Sequence, residues 1–162
     1  MNRLFWFLPL LGFFSATTIW ALSPAHIACQ LKKPDSLSPL TGCVAGTIFV
    51  SQDDPRAEFT SIQEAISSLP EGLPTTILIG AGEYHETVNV TRTAPLTLLG
   101  QLDPETAFDP AGNASTRNLV HIWNNTFVQT GMDNAQSAVL TVAPSFNASL
   151  IGAGPTGAPL QP

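Results

Sequence analysis

The pattern of apolar and polar positions is clearest between Thr47 and Gln101. Thr47–Val50 is a short β-branched and aromatic run that predicts a buried strand. Ser51–Glu58 is polar, and its Asp53-Asp54-Pro55 reads as a solvated loop. Over Thr60–Leu69 the apolar residues Ile62, Ala65, Ile66 and Leu69 recur at helical spacing and form one face. Ser61 and Glu64 fit a capping box, with the Ser hydroxyl serving the Glu64 amide and the Glu side chain reaching back. Pro70 and Gly72 close the helix. A helix this short is not stable alone, so its apolar face must cover something. The end of a stack of strands suits it.

Thr76–Ile79 is continuously apolar and predicts a strand buried on both sides. Gly80-Ala81-Gly82 reads as a turn. Tyr84–Val90 alternates imperfectly, with Val88 and Val90 on one face, and Leu96–Gly100 is a further strand. Residues 101–118 read as a long polar loop with Asp103-Pro104 and Asp109-Pro110. Strands recur at Leu119–Trp123, Ala138–Val142 and Ser149–Ile151. The spacing is irregular, which suits a parallel β-helix, where loops vary and strands stay short. A β-sandwich also has many short strands and is the alternative. The early amphipathic helix favours the solenoid, because a first coil needs a cap.

Composition supports an all-β chain. Charged residues are only 11% of the 162, while Pro and Gly number 14 and 12, which favours turns over helix surfaces. The formal charge is −6, and Lys32-Lys33 is the one adjacent basic pair. Nucleic acid is excluded as a partner, because neutralising phosphates needs clustered Lys and Arg.

Arg3, the apolar run Leu4–Phe14 and the more polar Ser15-Ala16-Thr17-Thr18 form a secretory signal pattern over residues 1–23, with cleavage between 21 and 25. A membrane anchor is the alternative, but the run is shorter than the ~20 apolar residues of a span. No membrane partner is expected after its removal. Residues 24–46, rich in Pro, Ser and Gly, read as an irregular leader. Cys29 and Cys43 are the two cysteines, and in an oxidising compartment they are expected to pair; two free buried thiols are the alternative. Sequons at Asn89, Asn113, Asn124 and Asn147 agree with a secreted glycoprotein. No cysteine or histidine set stands at metal-ligand spacing.

Several motifs carry less than their letters promise. Gly152–Gly157 matches G-x-G-x-x-G, but Pro155 and Pro159 exclude the helix that a dinucleotide site needs. His26, His85 and His121 are scattered, and no Gly-x-Ser-x-Gly elbow accompanies them. His85 reads as a turn residue and His121 as a strand side chain. Trp123 and Phe127 could stack on sugar, although half-buried strand aromatics are commoner.

Phe59-Thr60-Ser61-Ile62-Gln63-Glu64-Ala65-Ile66, then Ile77-Leu78-Ile79-Gly80-Ala81-Gly82-Glu83-Tyr84-His85-Glu86, then Leu96-Thr97-Leu98-Leu99-Gly100 resemble the opening of a pectinesterase of the fungal secreted type. Trp123-Asn124-Asn125 and Ala143–Ala148 extend the likeness, which covers residues 47–162. It implies a right-handed parallel β-helix of the pectin lyase-like kind, capped by the helix after Phe59. It further implies a monomer that hydrolyses galacturonate methyl esters in pectin without metal or cofactor. The family's chemistry uses an Asp nucleophile, a second Asp as acid and base, Gln donors for the oxyanion and an Arg that holds the nucleophile. Those residues belong to coils that would follow Pro162, so the resemblance implies a truncated N-terminal portion, inactive as it stands. No catalytic residue is assigned, and Asp133 and Gln136 have the residue types but not the place. Ser137-Ala138-Val139 aligns with a strand whose last Thr faces substrate in the family; Val139 stands there without the hydroxyl. A non-catalytic secreted glycoprotein that binds cell-wall polysaccharide is the alternative function.

Overall fold

Nine short elements follow one another in the computed structural model, which describes residues 23–107, 118–127, 130 and 137–142. They are α1 (Pro24–Gln30), β1 (Ile48–Val50), α2 (Ile62–Ser68), β2 (Thr75–Ile79), β3 (Gly82–His85), β4 (Val88–Val90), β5 (Leu96–Gly100), β6 (Val120–Trp123) and β7 (Leu140–Val142). The described chain is mostly β, with parallel strands in several small sheets and two short helices.

The pairing has a regular order. One sheet runs β1-β2-β5, a second pairs β3 with β6, and a third pairs β4 with β7. Every one of these pairs is parallel. Three consecutive strands, β2, β3 and β4, therefore meet β5, β6 and β7 in the same order. The register stacks like on like: Ile48, Ile77 and Leu98 form one row, and Phe49, Leu78 and Leu99 the next.

Strand alternation divides these rows between two apolar clusters. Val50, Ile77 and Ile79 point inward with Tyr84, Val88, Val90 and Val120, and Ile62, Ala65 and Ile66 of α2 close over them. Phe49, Leu78 and Leu99 point the other way, onto Cys29, beside Cys43 and Leu40. β2 is thus buried on both faces, as its continuous apolar run predicts. Each fully buried Ile or Leu contributes about 1.5–3 kcal/mol.

The segment after residue 23 is a helix at first, not the irregular leader expected. Ser23 caps α1 by accepting from the His26 amide at 3.3 Å, and Pro24 opens its first turn. Seven residues do not hold a helix alone. α1 is held by the Cys29–Cys43 disulfide, by Gln30 Nε2 donating to Gly100 O at 3.0 Å, and by Leu102 N donating to Gln30 O at 2.8 Å.

α2 also departs from expectation at its start. Ser61 Oγ accepts from the Glu64 amide at 3.3 Å, as a capping box requires. The carboxylate seated on the helix start is Glu86 rather than Glu64. Glu86 accepts from Ser61 Oγ at 2.8 Å and from the Ile62 and Gln63 amides at 3.0 Å each. These are amides that the first turn of a helix cannot satisfy itself. Gln63 then ties α2 to β4, its Oε1 accepting from the Asn89 amide at 2.7 Å.

Among the described residues, no helix is long and apolar enough to cross a membrane.

Candidate functional site

Among the described residues, polar chemistry gathers on two surfaces. The first is the outward face of the β3–β6 sheet. Tyr84 and Ile122 share one register position and point inward, so their neighbours point out. Glu83 lies beside His121, and His85 beside Trp123. Glu83 Oε1 and His121 Nδ1 are 2.6 Å apart, with both side chains more than half exposed. The His85 and Trp123 rings stack, with centroids 4.1 Å apart and planes 16° from parallel. His85 is thus a strand residue engaged with an aromatic partner, not a turn residue. Trp123, at 45% exposed on β6, is a half-buried strand aromatic as expected, whereas Phe127, after the strand, is 72% exposed.

The second surface is a shallow cleft of about 670 Å³ beside β1 and the loop that follows it. Ser51, Asp53, Asp54, Arg56, Lys32 and Gln101 lie on its walls. Most of their polar atoms hold the walls themselves. Ser51 Oγ accepts from the Asp54 amide at 3.1 Å. Arg56 grips both oxygens of Asp54 at 2.8 and 2.6 Å, and donates to the Asp35 and Leu37 carbonyls. Those hydrogen bonds from Arg56 hold the Asp54 carboxyl below the usual carboxylate range. Gln101 Oε1 accepts from the Ala81 amide at 3.0 Å. The cleft thus contains Asp, Arg and Gln, but Asp54 is spent on Arg56 and is not presented as a nucleophile.

Beneath both surfaces lies Tyr84. It is fully buried, and its hydroxyl donates to Gly80 O at 2.9 Å. Burial, and then the charges of Glu86 and Asp53, push its pKa up to about 12.

The sequence-predicted residues fall as follows. Cys29 and Cys43 form the disulfide. Val139 lies just before β7, half-buried, and its carbonyl accepts from the Val88 amide at 2.8 Å. Asn89 is on β4, opposite Thr141. Asn124 follows β6; its Oδ1 accepts from the amide and hydroxyl of Thr126 at 2.8 Å each, and its Nδ2 donates to Thr87 Oγ1. Asn113, Asn147, Asp133, Gln136, the 149–151 strand and the 152–157 glycine motif lie outside the described residues. Among the described residues, no group of three His, Cys, Asp or Glu side chains gathers in a way that could hold a metal ion.

The sequence pattern alone does not bring this paired face together. Only the register that sets Gly82 opposite Val120 brings Glu83 to His121 and His85 to Trp123. No spacing rule gives that register across an irregular connection. No protein-family model, curated protein or solved structure matches the chain.

Proposed function

We propose that the chain is a secreted protein of the pectinesterase type, and that its parallel strands are coils of a right-handed β-helix capped by α2. Its ligand in this reading is methyl-esterified polygalacturonate; hydrolysis of the galacturonate methyl ester is the reaction of that protein type, for which the described residues supply no assigned nucleophile. One observation carries the reading furthest. The two stretches that most resemble pectinesterases interlock in space, with Glu86 of the Gly-Glu-Tyr-His-Glu stretch seated on Ser61, Ile62 and Gln63 of the helix stretch. The ordered pairing of β2, β3 and β4 with β5, β6 and β7 agrees with successive coils. The Cys29–Cys43 disulfide agrees with an oxidising, extracellular setting.

The formal charge of −6 bears on the form of pectin bound. A free polygalacturonate is a polyanion and is repelled at low salt, whereas methyl esters remove the charge. Binding therefore increases with methyl esterification.

A second reading, polysaccharide binding without catalysis, is favoured by how the carboxylates are used. Asp54 is held by Arg56, Glu86 by the start of α2, and Glu83 by His121. No described residue is assigned as nucleophile or acid.

The test is methanol release from highly methyl-esterified pectin by the secreted chain. Methanol above the blank supports hydrolysis. Binding to pectin without methanol supports the second reading. Neither methanol nor binding overturns both.

A further inference from the structure

β4 has two edges and one strand neighbour. The Val88 amide donates to Val139 O at 2.8 Å, on the edge shared with β7. The alternation that turns the backbone of Val88 and Val90 toward β7 turns the Asn89 amide and carbonyl to the opposite edge. Among the described residues no strand pairs there. The side chain of Gln63, on α2, takes that place. Its Oε1 accepts from the Asn89 amide at 2.7 Å, and its Nε2 donates to Asn89 O at 3.4 Å. One planar carboxamide thus meets both backbone groups of one residue, as the facing residue of an antiparallel strand would. The same Nε2 donates to Ser67 Oγ at 3.1 Å, and Ser67 Oγ donates to Gln63 O at 2.8 Å, which holds the carboxamide in that orientation. Gln63 has no other task in the described residues. The start of α2 is served by Ser61 and Glu86, and Gln63 lies outside both apolar clusters.

We propose that Gln63 acts as a surrogate strand that seals the β4 edge and keeps a second copy of this chain from adding a strand there. An unpaired edge presents N–H and C=O groups that pair with an extended segment of another chain. Ile62, Ala65 and Ile66 of α2 cover the apolar face of Val88 and Val90. The helix backbone cannot also pair with the strand edge, because its own groups are bonded along the helix. A side chain must do so, and the residue type matters. A carboxamide both donates and accepts, whereas a carboxylate only accepts and an ammonium only donates. The inference concerns α2 and β4 alone and stands or falls independently of the pectin reading.

The test compares variants in a Thr91→Ala parent, which lacks the Asn89-Val90-Thr91 sequon and so carries no glycan beside the edge. The first readout is hydrogen exchange. In the parent, the Asn89 amide is expected to exchange as slowly as the Val88 amide, although no strand faces it. Gln63→Met keeps the side-chain length and suits a helix. It should speed exchange at Asn89 about tenfold, the loss of one hydrogen bond, and leave Val88 unchanged. The second readout is sedimentation over a range of protein concentrations. Gln63→Met should associate at lower concentration than the parent. Ser61→Ala, which loosens the same helix and leaves Gln63 in place, should match the parent. Should Gln63→Met lose the parent's circular dichroism spectrum, Gln63→Glu replaces it. Its carboxylate still accepts from the Asn89 amide but opposes the carbonyl, so association should again exceed the parent's. Equal exchange at Asn89 in parent and variant overturns the proposal. So does faster exchange without added association, or equal added association in Ser61→Ala.

Discussion

Tyr84 shows how one side chain is fixed from several directions. It is the one tyrosine in the chain, its ring fills the centre of the larger apolar cluster, and its hydroxyl donates to Gly80 O. Its pKa is pushed up to about 12, mainly by burial. The folded pKa exceeds the ordinary value of about 10, so the fold favours the protonated phenol. That contribution is fully present below pH about 10 and is lost as pH rises toward about 12. An ultraviolet titration therefore reports Tyr84 alone, with an ionisation midpoint near 12 that coincides with loss of structure. A midpoint near 10 in folded protein would show that the ring is solvated. Gly80, which accepts from that hydroxyl, is equally constrained. A Cβ there would sit 3.0 Å from Ser51 Cβ and Oγ and 3.2 Å from Val50 O. Gly80→Ala should destabilise by about 1–3 kcal/mol, read as a lower urea midpoint. Gly82 is tied by its backbone, at φ +151°, where side chains are disfavoured.

At the scale of elements, the two helices depend on distant residues in different ways. α2 takes its position from its apolar face and its start from Glu86. Glu86→Ala removes acceptors for one hydroxyl and two amides and should cost about 1–3 kcal/mol. Ser61→Ala should cost about 1 kcal/mol. The two share a hydrogen bond, so the double variant should lose less than the sum; strict additivity in urea unfolding would show that the Ser61–Glu86 bond contributes nothing. α1 depends on its disulfide. Replacing Cys29 and Cys43 together by Ala should cost about 3 kcal/mol on the loop-entropy account, seen as a lower melting temperature. These dependences explain what could be read in the sequence. Ile62, Ala65, Ile66 and Leu69 announce α2 by spacing alone, and Ile77–Ile79 announce a doubly buried strand. α1 has no such stripe, because it is held by Gln30 reaching Gly100 and by a cross-link. The carboxylate at the start of α2 was legible as a need, but Glu64 was the local candidate, and the partner that serves it is 24 residues beyond Ile62. The split of Tyr84–Val90 into β3 and β4 follows from their pairing with separate strands, β6 and β7, which no local alternation encodes.

At the scale of the whole molecule, the parallel rows expose different chemistry on different sides. One side carries α1 and the disulfide over Phe49, Leu78 and Leu99. Another carries the Glu83–His121 and His85–Trp123 pairs. The inward rows of the third sheet continue from Val88 and Val90 to Leu140 and Val142, which are 49% and 57% exposed. The proposed function sets this acidic chain, with its Asn-x-Ser/Thr sites, on a neutralised polyuronate outside the cell. The most direct measurement is native electrophoresis of the purified chain through gels containing highly methyl-esterified pectin, de-esterified pectin or dextran. Retardation is expected in the methyl-esterified gel, weaker retardation in the de-esterified gel, and none in dextran. Equal mobility in all three gels would contradict the pectin reading.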